Sequence, residues 1–169
     1  MEINIEILVA NESHIPYVDI ILNTIEAAAK VRGTGIAKRS PEYVKQKMIE
    51  GKAIIALCGD EFAGFCYIET WSNKAFVANS GLIVVDKFRG HGLAKKIKRR
   101  AFELSRQRFP EAKIFGLTAG LPVNLEGLVG ANGKVFGLES FGFSAPFKVL
   151  DEKLGFTGKN VYEQVKKMI

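Results

Sequence analysis

Apolar residues recur at every second position through Ile3, Ile5, Ile7 and Val9, so the chain is predicted to open with a half-buried strand. The period then changes. Over 13–31 the residues Tyr17, Ile20, Ile21, Ile25 and Ala28 fall at helical spacing, with Ser13 as the expected cap, Pro16 tolerable in the first turn and Gly33 as the stop. A second helix is announced by Ser40, Pro41 and Glu42: a cap, a proline that needs no amide hydrogen, and an acid at the positive helix end. Gly51, after Met48 and Ile49, is its stop. Three strand-like runs follow at 53–58, 61–71 and 75–85. They are separated by Gly59-Asp60 and by Ser72-Asn73-Lys74, which reads as an antiparallel meander. Leu93, Ile97, Ala101 and Leu104 then share one face of a helix ending near Pro110, and 112–118 reads as a further strand.

Beyond Thr118 the pattern blurs. The stretch to Ser144 is glycine-rich without a helical period, although Lys134-Val-Phe-Gly-Leu138 echoes Lys113-Ile-Phe-Gly-Leu117. Ala131-Asn132-Gly133 suits a hairpin turn, predicting that 125–130 pairs with 134–139; the echo itself reads as shared strand chemistry rather than a repeat. A short helix is expected from Pro146 to Leu154, stopped by Gly155, and a last strand from Val161 to Ile169. No linker divides the chain, so 1–169 is expected to be a single domain with 119–144 as an insert.

Composition fits a globular protein: 169 residues, 47% of them hydrophobic, are enough for a sizeable core. No run approaches the roughly 20 apolar residues that span a bilayer, and the start does not resemble a signal peptide, so a cytoplasmic location without membrane attachment is expected. Cys58 and Cys66, without metal-type spacing, read as small buried hydrophobes, and no metal is expected. A formal net charge of +6 suggests an anionic partner: nucleic acid, a polyphosphate cofactor or an acidic metabolite.

The segment Val85-Asp-Lys-Phe-Arg-Gly-His-Gly-Leu-Ala94 narrows that choice. A strand giving way to an Arg/Gly-rich turn and then a helix gathers free backbone N–H groups and the positive helix end around one point, which suits a phosphate. Gly90 and Gly92 let the backbone approach a diphosphate closely, and Arg89 adds permanent counter-charge. The turn is neither G-x-x-x-x-G-K-[ST] nor G-x-G-x-x-G, because Lys95 stands where the third glycine would be. On its own it could equally be a solvated turn before a basic helix.

From Leu82 to Gly92 the sequence resembles the strand and pyrophosphate loop of the GNAT acyltransferases, whose pattern [RQ]-x-x-G-x-[GA] is met by Arg89, Gly92 and Ala94. The order of elements is similar along nearly the whole chain. The resemblance implies a mixed α/β (α+β) GNAT fold, with a central, mostly antiparallel, twisted sheet of about six to seven strands flanked by four helices. It also implies acetyl-CoA or another acyl-CoA as cosubstrate, held by Leu82, Ile83 and Val84 on the strand and by Arg89, Gly90, His91, Gly92, Leu93 and Ala94 in the loop. The N–H of Val84 would polarise the thioester carbonyl.

Some positions depart from the family. Asp151 stands where a tyrosine often protonates the leaving thiolate, with Ser144 and Phe147 at the earlier positions, so solvent is expected to supply that proton, the alternatives being Tyr162 or a helix displaced by the glycine-rich insert. Ala78 replaces a glutamate base, which leaves Glu69 on the neighbouring strand as the candidate base, or else as a surface acid at the sheet edge. A narrower resemblance, in 32–40, 65–71, 79–84 and 112–118, is to stand-alone GNAT proteins of arginine biosynthesis that acylate glutamate. It implies a primary amine acceptor such as glutamate, direct transfer in a ternary complex and a place in amino-acid metabolism. Arg32, Lys38 and Arg39 are then the candidate substrate-binding residues around Gly33-Thr34-Gly35, with a solvated basic linker as the plainer reading.

His91 is expected to face water, Trp71 either walls the acceptor site or packs in the core, and Lys95, Lys96, Lys98, Arg99 and Arg100 form a basic face that could meet the CoA 3′-phosphate or nucleic acid, a merely solvated face being the commoner outcome. The rival readings are a CoA-binding GNAT-fold protein without catalysis and a basic nucleic-acid-binding module. No aromatic stacking pattern supports the second. A homodimer is compatible with the sequence.

Overall fold

The computed structural model describes residues 4–32, 38–71, 74, 76–140 and 142–168. The chain clusters into two compact units, one formed by Met1–Thr70 and Val77–Pro110, the other by Trp71–Phe76 and Glu111–Ile169.

The first unit is a four-stranded sheet in the order β1-β2-β3-β4, made of β1 (Glu6–Val9), β2 (Ala53–Cys58), β3 (Glu61–Trp71) and β4 (Phe76–Val84). β1 and β2 pair antiparallel, as do β2 and β3. Between β3 and β4, Val85 N–H donates to the Ala63 carbonyl while Asn79 meets Cys66, so this pair also runs in opposite senses. The meander read from the sequence is therefore present, with boundaries within a residue or two.

Both faces of the sheet are covered. On one, Ile55, Phe65, Tyr67 and Ile83 pack against α1 (Val18–Arg32) and α2 (Pro41–Ile49) through Ile21, Ile25, Val44 and Met48. On the other, Ile54, Ala56, Ala63, Cys66 and Ile68 meet α3 (Leu93–Arg108) through Leu93, Ile97, Ala101 and Leu104, the four positions its periodicity predicts. β2 and β3, apolar at nearly every position, are the central strands because burial on both sides leaves no polar face.

Local chemistry sets the helix ends. Ser40 caps α2 by accepting from the Tyr43 N–H at 3.2 Å, with Pro41 in the first turn, as expected. The first helix begins differently. A 3-10 turn over Glu12–Tyr17 precedes α1, and Asn11 rather than Ser13 is its cap: Asn11 Oδ1 accepts from the Ser13 N–H at 2.9 Å, while the His14 ring accepts from the Asn11 N–H. The proposed stop at Gly33 lies outside the described residues.

The second unit departs from expectation. β5 (Phe115–Leu117) and β6 (Lys134–Phe136) pair parallel, in register Phe115 with Lys134 through Leu117 with Phe136. The residues of the expected hairpin strand at 125–130 instead form α4 (Val123–Val129). Parallel neighbours need a crossover, and α4 provides one: its Leu125 and Val129 lie over Gly116, where a Cβ would meet both at 3.3–3.4 Å. The echo between 113–117 and 134–138 thus belongs to two segments that lie side by side.

The predicted strand at 161–169 is also corrected. The chain there forms α6 (Gly158–Lys166), capped by Thr157, whose hydroxyl accepts from the Asn160 N–H. Val161 and Val165, four residues apart, share a face in a helix and in a strand alike, so their spacing does not separate the two. α5 (Phe147–Leu154) and its stop at Gly155, in left-handed conformation, are as predicted. Among the described residues there are thus six strands in two sheets and six α-helices, where one sheet of about six to seven strands and four helices were expected.

Both cysteines are free. Cys66 is fully buried, and desolvation pushes its thiol up to about 11, while Cys58 is partly exposed. Native protein treated with a thiol-reactive disulfide at pH 8 is predicted to react at Cys58 alone, with Cys66 reacting only after denaturation; equal rates at the two thiols would show that the sheet's α3 face is not closed.

Candidate active site

The turn between β4 and α3 carries the clearest chemical design. Gly90 and Gly92 both have positive φ, +82° and +72°, and a Cβ at either would meet nothing within 4 Å. Glycine is needed there for conformation, and the space above it is open. Gly92 is the cap residue of α3 and offers no side chain to the helix. The first turn holds no acid, so the leading N–H groups and the positive helix end face outward without an internal anion.

Arg89 is committed on its inner side. Its Nε donates to the Val84 carbonyl at 3.2 Å and its Nη2 pairs with Asp86 Oδ1 at 2.8 Å, which fastens the guanidinium across a short 3-10 turn over Asp86–Phe88. Arg89 is therefore both a charge beside the turn and a brace between the turn and the strand end. His91 is exposed and its ring Nδ1 bonds back to the Arg89 carbonyl at 2.8 Å, while Ala94 is exposed and Leu93 is buried against Ile97 and its neighbours. Along α3 the basic side chains lie off the buried face, and Lys98 reaches back to Asn79 Oδ1 on β4 at 2.7 Å.

Val84 faces the open side of its strand. In an antiparallel ladder successive residues direct their backbone groups to alternate sides, and Val85 N–H is bonded inward to Ala63. Val84, one residue earlier, sends its N–H and carbonyl away from β3, as does Leu82, while Ile83 faces inward. The capture of the Val84 carbonyl by Arg89 agrees with that alternation.

β4 is not regular along its length. Gly81 has φ +66°, and both Ser80 and the position of a Cβ at Gly81 lie toward Tyr67, so two successive residues share one face, as in a β-bulge. A Cβ at Gly81 would overlap the Tyr67 ring. The Tyr67 hydroxyl accepts from Arg39 Nε at 2.7 Å and stands 3.4 Å from Ser80 Oγ, and its ring meets Tyr43 edge-on at 5.6 Å.

The candidate base and acceptor residues fall beside this cluster. Glu69 is on β3, mostly buried rather than a surface acid, and its Oε2 accepts from Lys47 Nζ of α2 at 2.8 Å. Desolvation holds its carboxyl above the usual carboxylate range, opposed by the charge of Arg39. Arg39 and Glu69 are thus brought together, and Lys38 is exposed. Arg32 ends α1, but its side chain and Gly33-Thr34-Gly35 lie outside the described residues, as does the Trp71 side chain. Asp151 and Tyr162 are both exposed, on α5 and α6 of the second unit. Lys47, Tyr67, Ser80 and Gly81 were not singled out from the sequence. Two signals were there to be used: a glycine inside the strand-like run Asn79-Ser-Gly-Leu82, and a lysine in line with Val44 and Met48 on the apolar side of α2.

Solved structures with a similar fold include acetyltransferases. An N-acetylglutamate synthase from Neisseria gonorrhoeae, solved with coenzyme A and N-acetyl-glutamate, superposes with a TM-score of 0.50 at 16% identity over 63% of this chain. A GNAT-family acetyltransferase from Staphylococcus aureus gives 0.50 at 15% identity over 62% of this chain, and the loading GNATL domain of CurA from Lyngbya majuscula gives 0.52 at 6% over 65%. The fold is the GNAT fold. This chain spans 24% of the synthase, 68% of the S. aureus protein and 62% of the CurA chain. No family profile matches the sequence. Transketolases from two strains of Staphylococcus epidermidis are 35% identical over 75 residues, which is 40% of this chain and 11% of theirs, too small a share to carry transketolase chemistry here. Among the described residues no helix is long and apolar enough to cross a membrane, and no group of three or more His, Cys, Asp or Glu is placed to hold a metal ion.

Replacing Gly81 with alanine is predicted to cost about 3 kcal/mol in urea unfolding, since a left-handed backbone and a clash with a buried ring are added together. A loss below about 1 kcal/mol would mean that β4 has no bulge against Tyr67.

Proposed function

We propose that this chain is an acyl-CoA-dependent N-acyltransferase that moves an acetyl group from acetyl-CoA to the primary amine of a small acidic acceptor such as glutamate, by direct transfer in a ternary complex. One observation supports this above the others: an outward-facing N–H at Val84 is followed, across a turn braced by Arg89, by a helix start with neither a side-chain cap nor an acid. A fixed amide dipole at a strand edge suits a thioester oxygen that gains charge, and an open helix start with adjacent cations suits a pyrophosphate.

In this reading Leu82, Ile83 and Val84 flank the pantetheine, and Arg89 to Ala94 hold the pyrophosphate. The amine nitrogen attacks the thioester carbon, the C–N bond forms as the C–S bond breaks, and the amine proton passes to Glu69 while solvent protonates the thiolate. Arg39, Lys38 and Arg32 supply positive charge for the acceptor's carboxylates. The full chain, both compact units included, serves this one activity, in the cytoplasm and in amino-acid metabolism. A CoA-binding protein without turnover is the second reading, favoured by the exposed Asp151 at the position of the family's tyrosine acid.

Gly92→Glu puts a carboxylate at the proposed phosphate site, and Arg89→Ala removes the brace and its charge. In calorimetric titration with acetyl-CoA each is expected to weaken binding by about tenfold or more, corresponding to the loss of at least one charge-assisted hydrogen bond. Unchanged affinity in both folded variants would refute the phosphate assignment. For the acceptor, release of CoA thiol is expected with L-glutamate in a screen of amino acids, polyamines and peptides. Activity confined to polyamines would refute glutamate, and tight acetyl-CoA binding without turnover on any amine would establish the second reading.

A further inference from the structure

Lys47 occupies an unusual place for a lysine. α2 buries Val44, Lys47 and Met48 along one side, and Lys47 is only 8% exposed. An apolar residue would fill such a position without the desolvation that an ammonium suffers, and replacing buried ion pairs by apolar groups is often neutral or stabilising. Core packing therefore gives no reason for a lysine at this point in the helix.

Its partner supplies a reason. Lys47 Nζ lies 2.8 Å from Glu69 Oε2 and 5.0 Å from the centre of the Tyr43 ring, which confines the ammonium between α2 and β3. The second carboxylate oxygen, Glu69 Oε1, is shielded and has no hydrogen-bond partner. A carboxylate bound through one oxygen, with the other left bare in a buried setting, is an arrangement that folding alone does not favour. The other charged and titratable groups that bear on the pair are Arg39, which acts on Glu69, and Glu50, Lys52 and Tyr67, which act on Lys47.

We propose that Lys47 is a positioning residue for the acceptor site: by holding Oε2 it fixes the Glu69 carboxylate with Oε1 as the oxygen left to take the acceptor's proton. The inference rests on the reading of Glu69 as the base. Oε1 is closed to solvent in the free protein and is uncovered as the acceptor enters; as the C–N bond forms, the proton leaves the amine nitrogen for Oε1, directly or across one water, and passes to solvent after the amide departs. Lys47 keeps its own protons throughout. Burial supports a shared role by displacing both groups toward neutrality, the lysine downward and the glutamate upward. The ammonium, 2.8 Å from Oε2, favours the charged carboxylate and so works against that rise.

The test reads the carboxylate without any substrate. Protein labelled with 13C at the glutamate side-chain carboxyl is titrated by NMR, with Glu69→Gln identifying the resonance. Lys47→Met, apolar and of similar length, is expected to move the Glu69 titration up by about one pH unit, and Lys47→Arg to leave it near the wild-type value. A second arm follows kcat/KM against pH with acetyl-CoA and L-glutamate: the acidic limb of Lys47→Met should move by the same amount, so that the rate on that limb falls about tenfold at fixed pH, with rescue by Lys47→Arg. If the Glu69 resonance does not move in Lys47→Met, the inference is overturned while the reading of Glu69 as base stands. If Glu69→Gln leaves rate and pH profile unchanged, the base reading itself fails and the inference falls with it.

Discussion

β4 hydrogen-bonds to β3 along one side, so alternate residues at its end direct their N–H and carbonyl groups away from the sheet. That constraint organises the candidate site. It leaves Val84 N–H outward, it offers the Val84 carbonyl to Arg89, and through that bond it ties the strand end to the turn that starts α3. The two glycines with positive φ let the chain change direction within a few residues, so a strand-edge donor and a helix-start donor set are fixed together. α3 in turn is held by its apolar stripe against the sheet, so the burial that stabilises the unit also orients the turn.

The opposite face of the sheet is built on another principle. Polar groups gather on it beside α2, β3 and β4: Lys47 with Glu69, and Arg39 with Tyr67 and Ser80. The bulge at Gly81 accommodates the Tyr67 ring, whose hydroxyl is thereby set beside the same β4 segment that ends in Val84. A buried polar cluster is costly unless its members are satisfied, and here one carboxylate oxygen is not. Tyr67 and Ser80 lie a few residues before the Leu82–Val84 end of β4, and Glu69 lies farther back along β3, beside the start of β4.

Legibility in the sequence followed the strength of the local pattern. β2, β3 and α3 were legible because their apolar positions repeat over many residues, and α2 because Ser40 and Pro41 mark its start chemically. The turn's backbone was legible because Gly90 and Gly92 mark it, whereas the ligand assigned to it rests on the resemblance of 82–92 to the GNAT loop. The segment after Thr118 was not: α4 is short and carries Gly127 within it, and the partner of β6 is the distant β5 rather than its neighbour in sequence. In α6 Thr157 was present as cap, but the Val161–Val165 interval suits strand and helix periods alike. At the site, the sequence could not show that Lys47 turns inward to Glu69, because pairing between a helix and a strand is decided by tertiary packing.

The most direct measurement of the central claim is a 1H–15N correlation titration of the whole chain with coenzyme A. Perturbed amides are expected at Val84 and from Gly90 through Ala94, because those N–H groups are proposed to face the bound ligand. Saturable binding that leaves all of these amides unmoved, or no binding at millimolar ligand, would contradict the assignment of this turn to a CoA pyrophosphate.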